Sequence, residues 1–322
     1  MPIVDMPLKE LKKYKGINPR PKDFAAYWAA ALKELDNQNM EYTLTQANFK
    51  ADGVECFHMS FTGVGGSSLH AKLVKPINTE TPCPAILMFH GYHANSGDWV
   101  DKVAYAKFGF VVVALDTRGQ GGLSDDTVAV KGETLEGHII KGLDDPDPHK
   151  LFYRNAFLDT AQLARIVMGM PFVDDARVGA TGFSQGGALT LACASLEPRI
   201  KLACAGYPFL SDYLRVWESM DIAHSAYSEL LNYFRFKDPL HEREEEVFRK
   251  LGYIDLHNHA ERIRTKVIML TALSDMICPP STQYAIYNNL DCEKEMILYP
   301  DHGHELLPKS GDILFSIFTN QL

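Results

Sequence analysis

GATGFSQGGALT, residues 179–190, decides how the rest of the chain is read. One serine, Ser184, stands between Gly182 and Gly186, and small residues follow it. A chain of this length shows G-x-S-x-G by accident roughly one time in ten, so the pattern alone carries little. Its setting carries more. RVGATGF (177–183) has strand character, and QGGALTLACASLE (185–197) has helix character. Strand, tight turn and helix in that order put a serine hydroxyl on an exposed corner. Side chains two residues to either side would collide there, and Gly182 and Gly186 remove them.

The same character extends outward. AILMFH (85–90), FVVVALD (110–116), KLACAGY (201–207), KVIMLTA (266–272) and EMILYP (295–300) are short apolar runs without strict alternation, as expected of strands covered on both faces. Helical stretches such as NAFLDTAQLARIVMGM (155–170) and STQYAIYNNL (281–290) separate several of them. This alternation predicts an α/β fold, a mostly parallel central sheet with helices on both faces. Ahead of it, PKDFAAYWAAALKELD (21–36) carries Phe24, Trp28, Ala31 and Leu35 at helical spacing. VECFHMSF and LHAKLV, joined by GVGGSS, read as a hairpin over residues 54–74. The expected organisation is one domain over 1–322. It has an N-terminal helical extension over 1–50 and an inserted helical cap over about 211–262. The charges of HEREEEVFRK (241–250) inside the cap read as a solvated helix face.

A serine hydroxyl is a weak nucleophile until a base takes its proton. On a strand–turn–helix corner the partners follow in the order acid, then histidine. Asp275 directly follows the strand KVIMLTALSD, and DHGHE (301–305) follows the next one with two candidates, His302 and His304. The early strand AILMF runs into HGY, where a second oxyanion amide originates, so the N–H groups of Tyr92 and Gln185 are the expected donors. His90 and His93 precede the nucleophile and read as structural, and His257 and His259 read as packing. No cluster has the spacing of a metal site, so neither metal nor cofactor is expected.

Bulk properties exclude several functions. A net charge of −9 disfavours nucleic acid, and the lysines at 9, 12, 13 and 15 read as one solvated face. No run approaches the roughly 18 apolar residues of a membrane span. MPIVDMPLKELKKYKG lacks the apolar core of a signal peptide. Six cysteines without a C-x-x-C pair read as thiols of a reducing compartment, so a cytoplasmic location is expected.

With FHGY, RGQGG, GFSQGG, SDMICPPST and HGHE located, and YPFLSDY and GHIIKGLDD agreeing, the chain resembles the carbohydrate esterase family of cephalosporin C deacetylases and acetyl xylan esterases. The likeness runs over nearly the whole length and implies an α/β-hydrolase fold. It implies Ser184 as nucleophile, His304 as base, Asp275 as its orienting acid, and Tyr92 and Gln185 as oxyanion donors. It also implies acetyl-ester hydrolysis on small carbohydrates such as xylo-oligosaccharides, with cephalosporin C as a further substrate, and a homo-oligomer, a hexamer. Arg118 and Gln120 are expected to brace the loop after FVVVALD. Phe183, Gly206 and Ser274 depart from the family's usual residues and bear on pocket shape. The competing readings are another hydrolase of the same fold (lactone hydrolase, thioesterase or peptidase) and a hydrolase-like scaffold that only binds a partner.

Overall fold

Strands with both faces covered must sit in the middle of layers, and that is where the apolar runs lie. The computed structural model describes all residues except 1–3, 78–79, 132–134, 136, 221 and 224, so small parts of the expected extension and cap lie outside it. Helices α1 (Leu8–Leu11) and α2 (Phe24–Asp36) come first, followed by β1 (Tyr42–Gln46), β2 (Val54–Thr62) and β3 (Ser68–Pro76). Next are β4 (Cys83–Phe89), α3 (Val100–Lys107), β5 (Val111–Leu115), α4 (Phe152–Met168), β6 (Val173–Phe183), α5 (Gln185–Leu196) and β7 (Leu202–Gly206). Four helices follow: α6 (Tyr213–Ser219), α7 (Ser228–Lys237), α8 (Glu244–Leu251) and α9 (Leu256–His259). The chain ends with β8 (Lys266–Ala272), α10 (Pro280–Asn289), β9 (Lys294–Tyr299) and α11 (Ser310–Gln321).

All nine strands form one sheet in the order β1-β2-β3-β5-β4-β6-β7-β8-β9. The β1–β2, β2–β3 and β3–β5 pairs are antiparallel, and every pair from β5 through β9 is parallel. Alternate residues of each central strand feed two cores. Leu87, Val111, Val113 and Ala203 pack toward α4 and α5, whereas Ile86, Val112, Leu202 and Ile268 pack toward Phe318 of α11. Helix α5 is buried along its whole length, as a helix without a polar stripe must be.

Two expectations need correction. YTLTQ forms an outer strand, β1, that no apolar run announced, because half of its residues face solvent. EMILYP, expected to be covered on both faces, is the opposite edge of the sheet, and its residues are exposed or half-buried.

The loop after β5 is held by a buried cation. Arg118 is fully buried and grips Asp159 of α4 with two bonds of 2.6 Å, from Nε and Nη2. Nη2 also donates to Val64 O at 3.0 Å and Nη1 to Ser67 Oγ at 3.3 Å, so one guanidinium ties the hairpin turn, the loop and α4. The N-terminal segment is tied as firmly. Asp5 accepts from Arg215 of α6 and from the Ser281 amide of α10, both at 2.6 Å. Asp212 accepts from Tyr14 Oη at 2.6 Å and from the amides of Ile17 and Asn18, each at 2.9 Å.

Removing one partner of a buried ion pair leaves the other charge uncompensated. Urea denaturation of Arg118→Met should show a loss of about 3–5 kcal/mol. Arg118→Met with Asp159→Leu should recover much of it, and equal losses in both variants would contradict this role of the pair.

Candidate active site

Ser184 lies between β6 and α5 with φ 56° and ψ −120°. A non-glycine residue held there costs about 1–3 kcal/mol, so its surroundings must fix it. Its N–H donates to Gly206 O at 2.9 Å, and its carbonyl accepts from Ala188 and Phe209 at 3.0 and 3.1 Å. A Cβ on Gly186 would lie 2.0 Å from the carbonyl oxygen of Phe89, and one on Gly182 would lie 2.5 Å from it. Lacking both, the turn presses against the end of β4 and brings residues 90–92 beside the serine.

Three distant side chains meet at this corner. His304 Nε2 is 3.0 Å from Ser184 Oγ, and His304 Nδ1 is 2.9 Å from Asp275 Oδ2. Asp275 is fully buried, and its other oxygen accepts the amides of Ile277 and Cys278, both at 2.8 Å. The carboxylate takes the Nδ1–H, which leaves Nε2 as the acceptor for the serine proton. Of the two histidines in DHGHE, only His304 reaches Ser184. His302 packs its ring 5.6 Å from Tyr299, and its Nδ1 is buried without a partner. Asp301 is exposed. Asp275, Cys278 and His304 each bring a potential metal-ligand atom within 4.8 Å of the others. A cation bound there would take the same atoms that form the hydrogen-bonded chain.

The remaining histidines are engaged elsewhere. His90 Nδ1 donates to Gly91 O at 2.7 Å, and its Nε2 accepts from the Thr117 amide at 2.9 Å. His257 and His259 are buried. The first bonds Asp255 Oδ1 at 2.7 Å, and the second lies 3.0 Å from Ser195 Oγ.

The N–H groups of Tyr92 and Gln185 meet no protein acceptor among the described residues. Their positions are fixed by side chains. Gln185 is fully buried; its Oε1 accepts from Tyr153 Oη at 2.8 Å and from Gln120 Nε2 at 2.7 Å. Gln120 Oε1 in turn accepts the His93 amide at 2.9 Å. Gln120 thus links the two strand ends that carry the free amides. Glu229, from α7, is a residue no sequence pattern marked. Its carboxylate accepts from Tyr92 Oη and from the amides of Ile139 and Ile140, at 2.7 and 3.0 Å. Burial pushes this carboxyl up to about 7, against the hydrogen bonds from Tyr92, Ile140 and Ile139 that favour the ionised form.

Two clefts open at Ser184 and His304. A smaller one of about 280 Å³ is bounded by Tyr92, Phe209, Ala226 and Ile277. A larger one of about 460 Å³ lies along Met88, Tyr105, Phe183, Tyr207 and Leu314. Phe183 occupies the space that a side chain at 206 would need, since a Cβ on Gly206 would lie 2.1 Å from its ring. Ser274 is at the surface, its amide donating to His302 O at 3.0 Å.

A mixed nine-stranded sheet flanked by helices, with the serine on a strained corner after β6 and a histidine–aspartate pair arriving from the ends of β9 and β8, defines an α/β-hydrolase. The model of the acetyl xylan esterase family matches residues 1–318, and the chain belongs to that family. Acetyl xylan esterase 1 from Thermoanaerobacterium sp. JW/SL YS485 is 52% identical with a TM-score of 0.95, covering 98% of this chain and 99% of that one. An acetyl xylan esterase from Paenibacillus sp. R4 is 33% identical with a TM-score of 0.93, covering 98% and 100%. The acetyl esterase Axe7A of Xylanibacter ruminicola is 25% identical over 296 residues; these are 90% of this chain but only 65% of that protein's length.

Glu229 generates a stability test. Its folded value of about 7 lies above the ordinary 4.5, so the stability it allows is fully present below pH 4.5 and is lost as pH rises through 7. Glu229→Gln cannot ionise. Thermal unfolding from pH 4.5 to 8 should therefore shift in the variant's favour by about 2–3 kcal/mol relative to the parent protein. Parallel curves would refute the assignment.

Proposed function

We propose that this chain is a serine carboxylesterase that removes acetyl groups from small acetylated carbohydrates such as xylo-oligosaccharides, with cephalosporin C as a further substrate. The observation carrying this reading is the single imidazole of His304, 3.0 Å from Ser184 Oγ and 2.9 Å from Asp275 Oδ2. Ser184 attacks the acetyl carbonyl as its proton passes to Nε2, while Asp275 holds Nδ1–H and stabilises the imidazolium. The negative oxygen accepts the N–H groups of Tyr92 and Gln185, each worth about 3 kcal/mol in such a site. The alcohol leaves with the proton from Nε2. A water deprotonated by His304 then attacks the acetyl-serine and frees acetate. The cycle calls for no metal or organic cofactor.

Membership of the acetyl xylan esterase family and the acetyl xylan esterase at 52% identity support the acetyl ester as substrate. The small cleft beside Tyr92 suits an acetyl group. The α6–α9 segment acts as a cap through its Glu229 bond to Tyr92. A hexamer is part of this reading, supported by the exposed apolar side chains of Phe236 (63%) and Leu240 (79%). A cytoplasmic location is part of this reading, supported by six cysteines with no C-x-x-C pair in the sequence. Among the described residues no helix is long and apolar enough to cross a membrane.

Acetate release from acetylated xylo-oligosaccharides tests the activity, with butyryl, thioester and peptide substrates as comparisons; faster thioester or peptide cleavage would replace this reading. Asp275→Asn should lower turnover by about four orders of magnitude. His304→Ala should remove activity and His302→Ala should keep most of it. The reverse pattern would reassign the base. Sedimentation should give a hexamer, and a 36.0 kDa monomer would refute that assembly.

A further inference from the structure

The peptide joining Gly91 to Tyr92 lies beyond the end of β4, outside the ladder of the sheet. Its carbonyl, Gly91 O, accepts from His90 Nδ1 at 2.7 Å and from the Ala94 amide at 3.2 Å. Those bonds set the direction in which the Tyr92 N–H points. They leave its depth open, and packing at Gly91 does not set it, since a Cβ there would meet nothing within 4 Å. The Tyr92 side chain carries the remaining hold. Its ring lies 5.7 Å from that of Phe209, and its hydroxyl donates to Glu229 Oε1 while accepting the His138 amide at 3.1 Å.

Glu229 is itself fixed from the other side. Its Oε2 accepts the amides of Ile139 and Ile140 at 2.7 and 3.0 Å, and a Cβ on Gly137 would lie 2.2 Å from the same oxygen. The turn over 137–140 therefore closes directly on the carboxylate. The other phenols near it, Tyr153 and Tyr213, are both pushed up by burial, and Tyr153 is committed to Gln185. A buried carboxylate with both oxygens engaged is a rigid post. Its charge gives the reaction nothing, because a buried anion near a developing negative oxygen opposes it. Only its placement can help.

We propose that Glu229 is a positioning residue of the hydrolytic reaction: through Tyr92 Oη it sets the depth of the Tyr92 N–H, and with it the bond that this N–H gives the negative oxygen of the tetrahedral intermediate. The proposal rests on the esterase reading above, with the Tyr92 N–H as an oxyanion donor. It makes helix α7 of the cap part of the catalytic frame and not only a cover. A donor held at the right depth gains most when the oxygen is fully charged, so the effect belongs to kcat and not to KM.

The test is a double-mutant cycle in Glu229→Gln and Tyr92→Phe, read as kcat and KM for ethyl acetate. It is run at pH 8.5, above the value of about 7 to which burial pushes Glu229, so that the parent carries the carboxylate. Rates are expressed per serine titrated by an organophosphate, which removes any unfolded fraction. The glutamine keeps the size of the side chain but sets one N–H donor against another. Each single variant should lose about tenfold in kcat with KM within about twofold. The double variant should lose no more than either single one, because both break the same link. Losses that multiply to about a hundredfold overturn the proposal. An unchanged kcat in Glu229→Gln overturns it too, and a raised one would show that the charge outweighs the placement. Should the glutamine variant fail to fold, Tyr92→Phe, which deletes one oxygen, decides alone: an unchanged kcat there refutes the link. Failure of the esterase reading looks different, with no acetate from acetylated xylo-oligosaccharides in the parent protein itself.

Discussion

The contact on which this architecture depends is the main chain of the serine turn lying directly against the carbonyl of Phe89. Cβ atoms at 182 or 186 would sit 2.5 or 2.0 Å from that oxygen, so the approach is open only to glycine. It brings together two parts of the chain that no local preference would join, the corner carrying Ser184 and the strand end carrying Tyr92. The pairing of β4 with β6, with Phe89 opposite Gly182, sets the height at which they meet. A one-residue slip in that register would turn every side chain of β6 to the other face.

Around that contact the protein spends buried polar groups on position. Arg118 fixes the start of the loop after β5, and Gln120, two residues on, fixes both free amides through His93 and Gln185. Asp116, immediately before the loop, accepts the amides of Ser96 and Leu123 and faces His70 at 2.6 Å. Each of these groups is hydrogen-bonded at both ends, which is what makes burying it tolerable. The N–H groups proposed as oxyanion donors, those of Tyr92 and Gln185, are main-chain atoms and cannot be tuned by substitution. Their placement depends on this surrounding frame.

The central strands are legible in the sequence because burial on both faces produces a short, continuous apolar run, which neither a surface loop nor an amphipathic helix shares. β1 is not, since an outer strand with alternating exposure looks like a loop. The order serine, aspartate, histidine singles out three positions that the fold then brings within hydrogen-bonding distance. The choice between His302 and His304 comes from family likeness, because spacing gives both the same standing. Glu229 is invisible for another reason. It stands 137 residues from Tyr92, in a helix whose other charges face water, and nothing local tells a clamping carboxylate from a solvated one.

The binding of Asp5 to Arg215 and Ser281, and of Tyr14 to Asp212, has a temporal side. The Asp5–Ser281 bond spans 276 positions. Asp5 therefore cannot complete its contacts until Ser281, 276 positions later, has been synthesised. Closures across so great a sequence separation are slow and come late. During synthesis the segment around Asp5 is held in reserve until the helices that receive it, α6 and α10, have been made.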